Sequence, residues 1–155
     1  DPGEVDLICY RDGLLLLLEV KSGYIRSTKH EIWLHRNSTL RKAAWQLRRK
    51  RPAVVDALAR DEALRKRLGY SGENAADQLH AWIVDTSIEL DQQLVDGFLV
   101  VSLETLQVIL RDERQLLRTA DQLPEEMNDT MFPAGFSAAR FVEAVETGEV
   151  WKGLE

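Results

Sequence analysis

The chain has a single cysteine, Cys9, so no disulfide can form within it and nothing in its cysteine usage points to an oxidising compartment. It also lacks a long apolar stretch. The longest leucine run, Leu14 to Leu18, falls far short of the roughly 20 residues that span a bilayer, so no membrane partner is expected. Four prolines and nine glycines in 155 residues exclude a collagen-like or low-complexity chain. A hydrophobic content of 45% excludes intrinsic disorder and suffices for one domain with a sizeable core. No basic segment followed by an apolar one opens the sequence, and a cytoplasmic enzyme or binding domain is the expectation. The chain enters a strand almost directly after Asp1, so an upstream element of the same protein is expected to be missing.

A net charge of -6 argues, taken alone, against a nucleic-acid partner. The distribution reverses that impression. Between Lys21 and Arg51 stand ten Lys or Arg and one acid, Glu31, a local balance of +9. The rest of the chain carries ten basic and 25 acidic side chains. Local fields of this size, rather than net charge, decide which face an anionic polymer meets.

Val5 to Tyr10 reads as a strand, Arg11-Asp12-Gly13 as a hairpin turn, and Leu14 to Val20 as a second strand, apolar on both faces and therefore central. Residues 24 to 36 read as irregular or short-stranded, anchored by Ile25, Ile32, Trp33 and Leu34. Asn37 or Ser38 can cap a helix to about Arg51, with Leu40, Ala43, Ala44 and Leu47 at helical spacing. Pro52 suits the first turn of a second helix that Gly69 ends. Leu79 to Thr86 and Phe98 to Val101 read as strands, Ser102 to about Leu117 and Ser137 to Thr147 as helices, with Trp151 pinning the end. That order predicts one mixed α/β domain, a central sheet flanked by helices.

A two-residue loop at Asp12-Gly13 pairs positions whose numbers sum to 25. Asp6 then falls opposite Glu19 and Glu4 opposite Lys21, and all four project from one face. Glu4 and Lys21 can be a plain cross-strand ion pair. Asp6 and Glu19 cannot, because directly opposed like charges destabilise a sheet. Such a pair needs a cation or a proton. A divalent metal satisfies both carboxylates, and magnesium commonly takes one or two protein carboxylates together with waters and phosphate oxygens.

Gly3-Glu4-Val5-Asp6 on one strand and Glu19-Val20-Lys21 on the next, followed by a basic helix bearing Gln46, resemble the PD-(D/E)XK nuclease superfamily. The resemblance covers roughly Gly3 to Ser102. It implies a restriction-endonuclease-like core, about residues 3 to 118, with an added C-terminal helical segment over 119 to 155. Restriction-type, RecB-like, Holliday-junction-resolvase-like and nuclease-related (NERD-like) domains belong to this superfamily. It further implies a magnesium- or manganese-dependent nuclease hydrolysing DNA, of the kind used in DNA repair, with RNA left open as a substrate. Asp6, Glu19 and the Val20 carbonyl hold the metal, Lys21 assists the attacking water and Gln46 orients a phosphate or water. Glu4 is either a further acid or a partner for Lys21. Arg41, Lys42, Arg48, Arg49 and Arg51 form the expected nucleic-acid-binding row. Where some members carry a tyrosine four residues after the glutamine, this chain has Lys50. The family's frequent glutamate on a helix before the first strand has no counterpart here.

The alternative is a catalytically inactive module of the same fold that binds nucleic acid or a protein, and a homo-oligomer stays open. His30 and His35 frame a string like that of the zinc proteases, but five residues apart they diverge by about 140° on a helix and cannot share a metal. Both read as surface or loop residues. Asp85 reads as a strand end that could approach the site, with a turn role preferred, and Trp45 as a packing residue, with stacking on a base as the alternative.

Overall fold

The computed structural model describes residues 3–117 and 130–152. The hairpin forms as its turn dictates. Strand β1 (Leu7–Arg11) pairs antiparallel with β2 (Leu14–Lys21), and the partners Leu7–Leu18 through Arg11–Leu14 follow the register expected from Asp12-Gly13. Asp12 and Gly13 take φ of 50° and 82°, the left-handed region that a two-residue hairpin loop requires. β1 begins at Leu7 rather than Val5.

A helical column follows. Helix α1 (Lys29–His35) leads through a π-turn (Arg36–Leu40) into α2 (Arg41–Arg60), and short helices α3 (Glu62–Leu68) and α4 (Ala75–Gln78) return the chain to the sheet. β3 (Leu79–Asp85), β4 (Leu94–Val95) and β5 (Phe98–Ser102) complete a five-stranded mixed sheet of order β1-β2-β3-β5-β4. β2 is interior, between β1 and β3, and is parallel to β3, the middle strand, which is in turn parallel to β5. After β5 come α5 (Leu103–Arg111), a 3-10 turn (Arg114–Leu117), α6 (Ala138–Glu146) and a last 3-10 turn (Glu149–Trp151).

Two cores sandwich the sheet. Alternation along β2 and β3 sends Leu15, Leu17 and Ile83 to the front, where they bury Leu40, Ala43, Ala44, Leu47 and Leu58. It sends Leu18, Trp82 and Val84 to the back, against Leu106, Ile109, Phe141, Val142 and Val145 of α5 and α6. Trp151 closes the back, its indole N–H donating to Asp91 at 2.7 Å.

Several sequence expectations are corrected. Residues 29–35 are helical, held by a capping box in which the Thr28 hydroxyl accepts from the Glu31 N–H and the Glu31 carboxylate accepts from the Thr28 N–H. Ile25, Trp33 and Leu34 are exposed rather than anchoring. Asn37 and Ser38 cap nothing: they lie inside the column and donate back to the Trp33 and Leu34 carbonyls at 2.8 and 2.6 Å. Side chains that occupy such carbonyls loosen the α ladder, and here the π-turn falls on these residues.

Pro52 does not divide α2 either. Proline removes one backbone bond, but Leu47, Val54 and Leu58 on either side share one buried face that keeps the helix whole. The break comes at Asp61, which caps α3 by accepting from the Leu64 N–H at 2.9 Å. The helix after Ser102 ends at Arg111, with Asp112 left-handed at φ 54°. β4 and its hairpin to β5 turn on Asp96-Gly97, with φ of 48° and 89°, a second Asp-Gly turn like the first.

The hairpin register sets which face Glu19 occupies, so the turn is a point of leverage. An added Cβ at Gly13 meets no atom within 4 Å, and a substitution there costs conformational energy alone. Gly13→Val should lower stability by about 1–2 kcal/mol, seen as a lower urea midpoint with an unchanged m-value.

Candidate functional site

The front face of β2 changes character at its end. After Leu15 and Leu17 the same alternation presents Glu19 and Lys21, directly under α2. Gln46 and Lys50, one helical turn apart on α2, face them. Lys21 Nζ donates to Glu19 Oε1 at 2.6 Å and to Gln46 Oε1 at 3.1 Å. Lys50 Nζ donates to Glu19 Oε2 and lies 3.8 Å from Asp6 Oδ1. Glu19 is 1% exposed and Lys50 2%.

The hairpin ladder stops at Leu7, and Asp6 takes over its last bond. Its Oδ2 accepts from the Val20 N–H at 2.8 Å, where the next β1 backbone group would stand. In a strand the N–H and C=O of one residue point to the same neighbour, so the Val20 carbonyl lies on the Asp6 side. Asp6, Glu19, Lys21 and Gln46 are thus brought together, and Val20 stands among them. Glu4 is exposed and does not pair with Lys21, whose ammonium is held by Glu19 and Gln46 instead. Lys50 is the member that sequence reasoning missed. Its signal is the four-residue spacing from Gln46.

Among the described residues, no three His, Cys, Asp or Glu side chains come close enough to hold a metal ion together. The donor set is two carboxylates and one carbonyl. Each carboxylate has one oxygen committed, Asp6 Oδ2 to Val20 and Glu19 Oε1 to Lys21. The other two, Asp6 Oδ1 and Glu19 Oε2, both face a single cation, the Lys50 ammonium. Hard oxygens converging on a position that already carries positive charge fit a magnesium-like ion in type and charge.

Beside this cluster a cleft of about 350 Å³ is lined by Lys21, Ser38, Thr39, Lys42 and Gln46. The π-turn supplies Ser38 and Thr39, and π-turns recur where a helix is bent to functional use. The expected basic row does not stay together. Lys42 lines the cleft, and the Arg49 guanidinium lies over the Trp45 ring, 4.4 Å from its centroid. Trp45 is 53% exposed, not a packing residue. Arg41 and Arg48 sit on the other flank, bonded to the Asp96 carboxylate at 3.3 Å and the Asp96 carbonyl at 3.1 Å. Arg51 reaches down to the Leu79 carbonyl at 3.3 Å.

A second polar cluster adjoins the first. In the parallel ladder Lys21 partners Asp85, which is fully buried. His35 Nε2 donates to Asp85 Oδ2 at 2.6 Å, and Arg26 Nη2 donates to His35 Nδ1 at 2.7 Å. A guanidinium only donates, so Nδ1 must accept and Nε2 must carry the ring proton. Ser87 donates to Asp85 at 3.0 Å, and Arg26 reaches both Ser87 at 2.6 Å and the Glu89 carboxylate at 3.5 Å. His35 is therefore no surface residue and Asp85 no turn residue. A 50-residue separation hid this pairing from any local pattern.

No protein-family model matches the chain, and comparison with curated proteins and with solved structures finds no significant similarity.

Burial works against the ionised Glu89 carboxylate, but backbone N–H groups, that of Arg26 foremost, and the Arg26 charge outweigh it and hold the group below its ordinary 4.5. A carboxyl lowered on folding contributes stability that is complete above its unfolded value and is lost as pH falls through the folded one. Glu89→Gln should therefore cost about 1–3 kcal/mol at pH 7 and progressively less below about pH 4, read from denaturation midpoints across that range.

Proposed function

We propose that this chain is a metal-dependent nuclease acting on DNA. The observation that carries the reading is the convergence of Asp6, Glu19, Lys21 and Gln46, from three separate elements, on one point beside a basic cleft. Asp6 Oδ1, Glu19 Oε2 and the Val20 carbonyl are the groups that would hold magnesium or manganese. Such an ion, when bound, polarises a phosphate and makes hydroxide available near neutral pH.

The chain's own side chains do the rest. Lys21 is pinned between Glu19 and Gln46 with its ammonium bordering the cleft, placed to stabilise negative charge developing on phosphate oxygens. Gln46 accepts from Lys21 through Oε1, which leaves its amide nitrogen as a donor to a phosphate. Lys42, Ser38 and Thr39 continue the cleft with donors suited to a polyanion backbone. Arg49 with Trp45 adds a cation and an aromatic face on the next turns of α2, the pairing on which single-stranded bases stack.

One observation favours a second reading, a catalytically inactive module binding nucleic acid or a protein. Two lysines already neutralise the two acids, so the cluster is electrically complete as it stands.

The discriminating experiment is cleavage of single- and double-stranded DNA in magnesium or manganese. Cleavage abolished by excess chelator and by Glu19→Gln, and cut at least 100-fold by Lys21→Met, is the expected result. No cleavage under any metal leaves the second reading. Binding provides a separate test. Replacing Lys42 and Arg49 together with Ala should weaken DNA affinity regardless of sequence and flatten the slope of log K against log salt by about one to two units. Replacing Arg41 and Arg48, tied to Asp96, should change that slope less.

A further inference from the structure

We propose that the Lys50 ammonium is a resident counter-ion that competes with a divalent metal for Asp6 Oδ1 and Glu19 Oε2. The proposal rests on the nuclease reading and concerns how its metal site is guarded.

Asp6 Oδ1 and Glu19 Oε2 share one cation, the Lys50 Nζ, which donates to Glu19 Oε2 and stands 3.8 Å from Asp6 Oδ1. With Lys21 on Glu19 Oε1, the four side chains carry two negative and two positive charges, and the cluster, with Glu19 and Lys50 buried at its centre, is neutral. A divalent ion added between the same oxygens would place two more charges beside a 2% exposed ammonium, where water screens little. Ion and ammonium therefore exclude one another. Lys21 does not contend for that position. It holds the opposite oxygen of Glu19 and is anchored sideways to Gln46.

The Lys50 stem has room to withdraw. It borders an apolar pocket of about 230 Å³ lined also by Val5, Ile8, Ala53, Val54, Ala57 and Leu64. An ideal Cβ on Gly3 would come within 3.8 Å of Lys50 Cε, so the exposed segment that carries Glu4 runs beside the stem. Lys50 can swing its head outward while its methylenes stay against apolar surface. The free protein would accordingly bind the ion weakly, and a phosphate entering the cleft would favour the metal-loaded form by adding negative charge.

The test measures Mn²⁺ binding to the free protein by titration calorimetry, and the thermal midpoint with and without Mn²⁺. It compares wild type, Lys50→Met and Lys21→Met, with Lys50→Gln as the alternative should the methionine variant fail to fold. Lys50→Met or Lys50→Gln should bind Mn²⁺ at least tenfold more tightly than wild type. Its midpoint should fall without metal and recover on addition, while the wild-type midpoint barely moves. Lys21→Met, which removes the same unit of charge, should tighten binding less than Lys50→Met. Equal affinity in wild type and the Lys50 variants, equal tightening by the two lysine substitutions, or no Mn²⁺ binding in any variant overturns the proposal. Wild-type DNA cleavage in excess Mn²⁺ is scored separately. Cleavage with unchanged Lys50-variant affinity removes the competition and keeps the nuclease. Tighter binding without any cleavage keeps the competition and removes the nuclease.

Discussion

Burying Glu19 is the constraint on which the front of this molecule is built. An ionised carboxylate with 1% exposure is strongly unfavourable unless paired and hydrogen-bonded, and its two oxygens are taken by lysines from two different elements. Lys21 comes from its own strand and Lys50 from α2, so satisfying Glu19 requires that helix and strand meet in one register. The apolar stripe Leu15–Leu17 against Ala43 and Leu47 brings them together. The polar end fixes how far along they sit. A hydrophobic cluster of the same shape would hold the two elements at least as well, since buried ion pairs are weak sources of net stability.

The position of that spot agrees with the architecture. In open α/β sheets the crevice at the carboxyl ends of parallel strands is where ligands meet the fold. β2 and β3 are parallel, and their last residues, Lys21 and Asp85, partner one another across the ladder. The acid–lysine cluster and the buried Asp85–His35–Arg26 chain thus occupy neighbouring places at the same end of the sheet. The second cluster ties the segment after β2 to the end of β3 through Arg26, Ser87 and Glu89.

What could be read in the sequence were features set by local chemistry. Asp12-Gly13 specified a turn, the turn a register, and the register the face shared by Glu19 and Lys21. β2 announces its interior place through apolar residues on both faces. Other features turned on competition that a linear pattern does not display. Pro52 reads as a break because its local cost is visible in the sequence, while the burial of Val54 and Leu58 that outweighs it is not. Thr28 and Glu31 carry a legible capping box, but the apolar residues that follow them lack a clear helical spacing. The Lys50 contact was hidden for another reason. A lysine in a run of basic residues looks like solvated surface until the helix face is fixed by its neighbours.

From Lys29 to Arg60 the column of α1, π-turn and α2 is helical throughout, a beam of roughly 45 Å at the ordinary rise per residue. His35 lies near one end, locked to Asp85 at the end of β3, and Lys50 farther along, locked to Glu19 at the end of β2. A beam fastened at two points cannot lift from one and stay seated at the other without bending at the π-turn between them. The two polar clusters are mechanically in series, and local opening of the front face becomes a cooperative event in which protection of the α1 and α2 amides is lost together. Any rearrangement that pulls Lys50 out by its backbone would also draw on the histidine's attachment. Only motion of the flexible lysine stem itself leaves that attachment undisturbed.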